Sequence, residues 1–436
     1  MIYVWNLVSD IWHRSLTVTH HTLKPVLKKI MIFILLLLLI ESSQAQQGIY
    51  SQQDLLQGNK KVSIPFRFVH NFILLEVRIF GGIPLNLIFD TGAEHVIIFK
   101  REYTDLLQIP YDKRIPIMGS DLSREIYALI TRNVLLEIPG LAPKPYDLLV
   151  LEEDYFNLEE LIGTHVDGII GGGFFKNLVI QLDYRRNCMT LHNHAQFEIP
   201  KDHIVLPIRM KTNKPYVDAE ASLQDGSVVT VDLLVDTGAG VPLLLHNNSH
   251  PSLKLPEKYI RGRLGMGLGG FLEGYIGRIN KLSVGEVEFT GIVTSYQEIQ
   301  EDWLFDKDRF RHGILGNQLL SRFSVYFDYI HSQLIVKPYH SKQKPFQMDR
   351  SGMMIFAYGL EFNKFIVRDI IPNSPAEEAD ILPNDLILRI QGYPTHFFSL
   401  AGINAMLLKK PGKKIRLVIS REGKTLKREF YLRDLV

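Results

Sequence analysis

Leu87-Ile88-Phe89-Asp90-Thr91-Gly92-Ala93 decides the reading of this chain, because the pattern returns 146 residues later as Leu233-Leu234-Val235-Asp236-Thr237-Gly238-Ala239. The match extends in both directions. Upstream, Ile64-Pro65-Phe66-Arg67-Phe68 resembles Leu206-Pro207-Ile208-Arg209-Met210 at an offset of 142. The difference of four residues falls between the anchors, where Phe80-Gly81-Gly82 in the first copy faces Leu223-Gln224-Asp225-Gly226 in the second. Downstream, Gly168-Ile169-Ile170-Gly171 resembles Gly313-Ile314-Leu315-Gly316, and Asp183-Tyr184 resembles Asp328-Tyr329, both at an offset of 145. Four matched segments in one order at nearly constant spacing identify an internal duplication.

Each copy reads as β. Val62 to Phe68, Phe72 to Phe80 and Leu85 to Phe89 are short runs rich in β-branched and aromatic residues, separated by Asn or Gly turns. No regular alternation with long helices argues for a parallel α/β sheet. The expected fold is mainly β, with two lobes related by a pseudo-twofold at 46–200 and 201–338. A polar, Pro-containing segment at 339–350 reads as a linker. The unit at 351–436 has a different, α+β pattern. Ser374-Pro375-Ala376-Glu377 has the signature of a capped helix start. Asp385 to Ile390 reads as a strand. Ser399 precedes a helix whose Leu400, Ile403, Leu407 and Leu408 share one face. Ile415 to Ser420 and Leu426 to Leu432 close the unit as a hairpin.

Residues 1–45 read as a signal peptide region. Lys24, Lys28 and Lys29 precede the apolar run Met31 to Ile40, and Ser43-Gln44-Ala45 follows it as a cleavage site. The true start is possible at Met31, and an uncleaved anchor is the alternative. An exported protein, periplasmic or extracellular, is expected. The 436 residues carry a net charge of +2, which gives no reason to expect a nucleic-acid partner. With Cys188 the sole cysteine, no internal disulfide forms.

A single Asp-Thr-Gly is more often a turn than a reactive site. Two copies at equivalent positions of a duplicated fold bring Asp90 and Asp236 together across a pseudo-twofold axis. Two neighbouring carboxylates do not both ionise readily, so the pair shares a proton. Such a pair activates a water by general acid–base chemistry, without a metal, cofactor or covalent intermediate. Gly92 and Gly238 allow close backbone approach, and Thr91 and Thr237 supply hydroxyls that tie the two loops. Cys188, His192 and His194 do not recur as ligand types in the second copy, so no metal site is expected. Gly265 to Gly270 contains G-x-G-x-x-G outside any βαβ unit, and reads as a hairpin, a flap candidate, rather than a nucleotide site. Its counterpart in the first copy lies near Met118-Gly119-Ser120-Asp121, with Tyr127 as a flap candidate. Asp183 and Asp328 read as turn residues.

These motifs resemble the retropepsin and pepsin superfamily, and more closely the bacterial two-lobed aspartyl proteases with a C-terminal PDZ domain. The resemblance covers about 60–436. It implies an aspartic-type endopeptidase with Asp90 and Asp236 as catalytic residues and Thr91, Gly92, Thr237 and Gly238 as loop support. It places Gly171 and Gly316 on strands crossing behind the loops. The implied partners are peptide or unfolded protein substrates and a C-terminal peptide ligand of the PDZ-like unit, with the protease a monomer. Two positions depart from the family. Glu94 and Gly240 follow the two Asp-Thr-Gly-Ala motifs, where a polar residue is common; Glu94 either binds substrate backbone or is solvated. In the PDZ-like unit, Asp380 and Asn384 stand where glycine is usual, and the carboxylate loop is either Gly352–Ile355 or Tyr358–Glu361. A non-catalytic peptide-binding or scaffolding protein is the competing reading. A two-carboxylate glycosidase explains neither the duplication nor the third unit.

Overall fold

Strands form where β-branched and aromatic runs stop at turns with positive φ. In the computed structural model, which describes residues 54–118, 125–154, 157–267, 270–300, 306, 310–339 and 344–436, His70 (φ 48°) and Asn71 (φ 66°) make a two-residue turn. It joins Arg67–Val69 to β1 (Phe72–Ile79), with Val69 opposite Phe72. Two left-handed residues in a two-residue loop match the twist of a hairpin. Thr212 (φ 48°) and Asn213 (φ 61°) repeat the device 142 residues later.

The first lobe then runs through β2 (Ile83–Asp90), β3 (Val96–Ile98), α1 (Leu158–Ile162) and β4 (Gly168–Gly171). The second runs through β5 (Lys214–Ser222), β6 (Val228–Asp236), β7 (Leu243–His246), the hairpin β8 (Ile260–Gly267) and β9 (Gly270–Val284), and β10 (Gly313–Gly316). Each lobe is an eight-stranded sheet, and the two strand orders correspond position by position. In both, the strand ending in aspartate lies parallel to a Gly-x-x-Gly strand, β2 on β4 and β6 on β10. The signal-peptide expectation and most of the Met118–Asp121 segment lie outside the described residues.

A third, six-stranded sheet takes strands from both copies. At its centre Leu178–Asp183 pairs antiparallel with Phe323–Asp328, and Gln181 faces Tyr326. These two are repeat mates at the 145-residue offset, so the pseudo-twofold axis passes between them. One continuous apolar core serves both lobes, including Phe89, Phe175, Val235 and Phe327.

The third unit opens on β11 (Met353–Tyr358) and β12 (Lys364–Ile370) and contains α2 (Leu400–Leu407). It has its own core, including Ile355, Val367, Ile387, Ile403 and Ile419. Ser374 caps its helix by accepting from the Glu377 amide, and Ser399 caps α2 by accepting from Gly402. Leu400, Ile403 and Leu407 are buried, and Leu408 is half-buried as the helix ends. Asp380 (φ 53°) and Asn384 (φ 74°) hold left-handed conformations, which explains why glycine is common there. The carboxylate of Asp380 is taken up by Arg421 and Arg428.

The described part of the expected linker is packed rather than free. Phe346 lies against Phe289, with the Arg322 guanidinium 3.4 Å from its ring centre. Arg350 donates to the Leu408 carbonyl at 2.7 Å and pairs with Asp434. Leu55–Val436 form one compact unit.

Candidate active site

β2 and β6 deliver Asp90 and Asp236 to the same place, where their side chains lie within hydrogen-bonding reach of each other. The loops beyond them interlock. Thr91 Oγ1 donates to the Val235 carbonyl at 2.7 Å, and Thr237 Oγ1 donates to the Phe89 carbonyl at 2.8 Å. Each hydroxyl also accepts the other threonine's amide, Thr91 N–H at 3.1 Å and Thr237 N–H at 3.0 Å. Both threonines are fully buried. Four hydrogen bonds thus tie the main chain beneath one aspartate to the main chain beneath the other.

The glycines have a more specific task than flexibility. A Cβ on Gly92 would lie 2.7 Å from Asp236 Oδ2, and one on Gly238 would lie 2.2 Å from Asp90 Cγ. Each carboxylate occupies the space that a side chain on the opposite loop would fill. Each is also oriented by its own loop: Gly92 N–H donates to Asp90 Oδ1 at 2.7 Å, and Gly238 N–H to Asp236 Oδ1 at 2.7 Å.

Burial pushes the Asp90 carboxyl well above the usual range, and the charge of Asp236 pushes it further. Burial raises Asp236 as well, but a hydrogen bond from Asp90, the Gly238 amide, Arg311 and Lys214 pull it back. Both carboxyls are thus raised by burial beside each other, and the pair shares one proton.

The two halves depart from symmetry at the residue after each motif. In one half Glu94 pairs with Lys214 at 3.2 Å and with the side chain of Thr212. In the other, a Cβ on Gly240 would meet the Phe72 ring at 3.2 Å and the His70 carbonyl at 3.3 Å. Phe72 and Lys214 are repeat mates. An ion pair in one half is thus replaced by an aromatic ring over a glycine in the other, and Gly240 needs no side chain to be held. Asn71 donates to the Gly240 carbonyl at 2.9 Å, and Asn317 donates to the Asn71 carbonyl at 2.7 Å. Tyr184 donates to the Asn317 side chain, whereas the hydroxyl of its mate Tyr329 faces Gly172 and has no partner among the described residues.

Gly171 and Gly316 lie beside the aspartates in the parallel pairings Asp90–Gly171 and Asp236–Gly316. A Cβ would strike the Ala93 carbonyl at 2.5 Å in the first and the Val241 carbonyl at 2.0 Å in the second. Asp183 and Asp328 are turn residues: each accepts backbone amides two or three residues ahead. The glycine-rich segment is the turn end of β8–β9, with Gly267 opposite Gly270. Tyr127 lies opposite Pro116 in the matching first-lobe hairpin, with Arg114 stacked 3.6 Å from its ring centre. Among the described residues, no group of three or more His, Cys, Asp and Glu is placed to hold a metal. His192 is bonded to Gln181. Phe72, Lys214, Asn71, Asn317 and Arg311 were not singled out from the sequence. The turn mates 70–71 and 212–213 were the available signal for the first three.

Residues 75–174 match the family model described as aspartyl protease, and residues 343–431 match the PDZ domain model. No curated protein matches the chain. Among solved structures the chain is similar to the aspartic proteinase from Irpex lacteus, with a TM-score of 0.40 and 11% identity over 65% of this chain and 99% of that one. A likeness that loose adds nothing to the geometry. The chain thus carries an aspartyl protease match over residues 75–174 of its first lobe and a PDZ domain match over residues 343–431 of its third unit.

Proposed function

We propose that the chain is an endopeptidase that cleaves extended or unfolded peptide segments with a water activated between Asp90 and Asp236. The observation that carries this reading is the pair itself: two carboxyls in mutual reach, both shifted upward, on loops locked by Thr91 and Thr237. The ionised carboxylate of the pair takes a proton from the water as the water oxygen attacks the peptide carbonyl carbon. Its protonated partner donates to the carbonyl oxygen as charge develops there. The C–N bond then breaks, and the leaving nitrogen receives a proton from the pair. Thr91, Gly92, Thr237 and Gly238 hold the two carboxyls in register and take no part in proton transfer.

The non-catalytic alternative draws on Gly240 and on the altered PDZ turns. Both have other accounts, since Phe72 covers Gly240 and Asp380 and Asn384 adopt the required left-handed backbone. Both half-sites come from one chain, so the proposed active unit is a monomer. The apolar run at 31–40 and the following small residues support export. Incubating residues 46–436 with a diverse peptide mixture across pH, with products read by mass spectrometry, tests the activity. Internal cleavage of peptides is the expected result. Intact peptides at every pH, or trimming of the ends alone, would overturn it.

A further inference from the structure

β11 ends the sheet of the PDZ unit, with β12 its only strand neighbour among the described residues. Such an edge accepts a peptide as an added strand, and backbone amides at its start cradle a terminal carboxylate. α2 packs beside β11, so the groove lies between them. In this chain two groups already reach into that region, and a third contact holds the opposite face of β11.

The turn after α1 enters first. A Cβ on Gly163 would lie 3.0 Å from Leu400 Cβ, at the start of α2, and 3.6 Å from Ala357 Cβ, in β11. His70 joins the same junction: its Nδ1–H donates to the Ile162 carbonyl at 2.7 Å, and its Nε2 accepts from the Asn404 side chain of α2 at 3.1 Å. Next, the loop ahead of β11 already holds a carboxylate. Asp349 accepts from the Ser351 amide at 3.0 Å, the Gly352 amide at 2.5 Å and the Ser351 hydroxyl at 2.8 Å. The amides suited to a peptide's C-terminus are therefore taken by the chain itself.

The third contact reaches the other lobe. Phe356 is only 2% exposed and alternates with the core residues Ile355 and Ala357. It packs on Phe271 of the β8–β9 hairpin, with ring centres 6.0 Å apart. Arg263 stacks on Phe271 at 4.1 Å and faces Asp369 of β12 at 3.5 Å. Met266, near the turn of the same hairpin, packs against a first-lobe cluster that includes Leu74, Ile88 and Ile97, on which Phe72 and Ala93 also pack. The hairpin therefore extends from the second lobe to the first beside the aspartate loops, and the PDZ unit grips its flank.

We infer that the PDZ unit is a clamp whose peptide groove is occupied in cis by the α1–Gly163 turn, with the Asp349 carboxylate on its terminal amides, so that a peptide enters only when the unit lifts off the lobes and leaves the α1 turn and the β8–β9 hairpin together. Peptide binding and hairpin anchoring then exclude one another, and the coupling is reciprocal. A peptide that takes the groove frees the hairpin and opens the cleft to substrate. This last consequence rests on the proposed protease reading; the occupied groove does not.

The test compares the chain with an Arg263→Glu/Phe271→Ala variant, which loosens the clamp from the lobe side without touching the PDZ core. Asp369→Lys loosens it from the PDZ side and covers a folding failure of the first. Three readouts are taken: retention of a random peptide pool with free C termini, hydrogen exchange across Ile260–Val284, and cleavage of a denatured, fluorescently labelled protein. The unaltered chain is expected to retain little peptide. The variants should retain at least tenfold more, exchange the hairpin amides at least fivefold faster, and cleave the labelled protein several-fold faster. Equal peptide retention by all three proteins, or unchanged hairpin exchange in the variants, would overturn the clamp. If nothing is cleaved by any of them, the protease reading fails while the peptide and exchange readouts still decide the clamp.

Discussion

Replacing Thr91 with valine keeps the shape of the side chain and removes its hydroxyl. That hydroxyl donates to the Val235 carbonyl at 2.7 Å and accepts the Thr237 amide at 3.0 Å, in a site with no solvent exposure. The substitution therefore leaves two buried main-chain groups without partners. Each stranded group costs about 1–3 kcal/mol, so Thr91→Val should destabilise the protease lobes by roughly 2–6 kcal/mol. Because valine fills the same volume, no cavity contributes. Thr91→Ser keeps both hydrogen bonds and loses one methyl, so it should cost only about 1 kcal/mol. By the pseudo-twofold, Thr237→Val should match Thr91→Val. Urea unfolding followed by circular dichroism gives the comparison, using the transition that includes the lobes. A Thr91→Val protein within about 1 kcal/mol of the parent would show that the interlock does not hold the two loops together.

Gly240→Ser should destabilise the protein, because its Cβ meets the Phe72 ring at 3.2 Å, and Phe72→Leu should relieve part of the loss; additive losses in thermal unfolding would refute that pairing. Lys214→Met removes a cation that lowers both aspartates, so both limbs of the pH–rate profile should move to higher pH; a profile that stays or moves to lower pH contradicts the assignment. Specific activity should stay constant on dilution, since both aspartates belong to one chain, and a fall that tracks dissociation in sedimentation would contradict the monomer.

The duplication made most of the lobe architecture legible. Residues repeated at a fixed offset must occupy equivalent places, so Asp90 and Asp236 could be paired from spacing alone. The capped helices of the third unit were legible for a local reason, since Ser374 and Ser399 bond within four residues of themselves. What stayed hidden depends on packing between distant segments. Nothing local to Gly240 shows that Phe72, far upstream, covers it. Likewise, the polar 339–350 segment reads as a tether, because Phe346 finds its pocket against Phe289 and Arg322 only once the sheets are assembled. The contact of Gly163 with Leu400 joins segments more than 200 residues apart and leaves no periodic mark on the sequence.

In the proposed mechanism Asp90 and Asp236 act as one acid–base pair. Asp90→Asn and Asp236→Asn, each checked for folding by circular dichroism, should be compared with the parent for turnover of a peptide that the parent cleaves. Each substitution is expected to lower turnover by roughly 10²–10⁴-fold or more, since each removes a group that must carry or accept the shared proton. Turnover near the parent rate in either well-folded variant would contradict the paired mechanism.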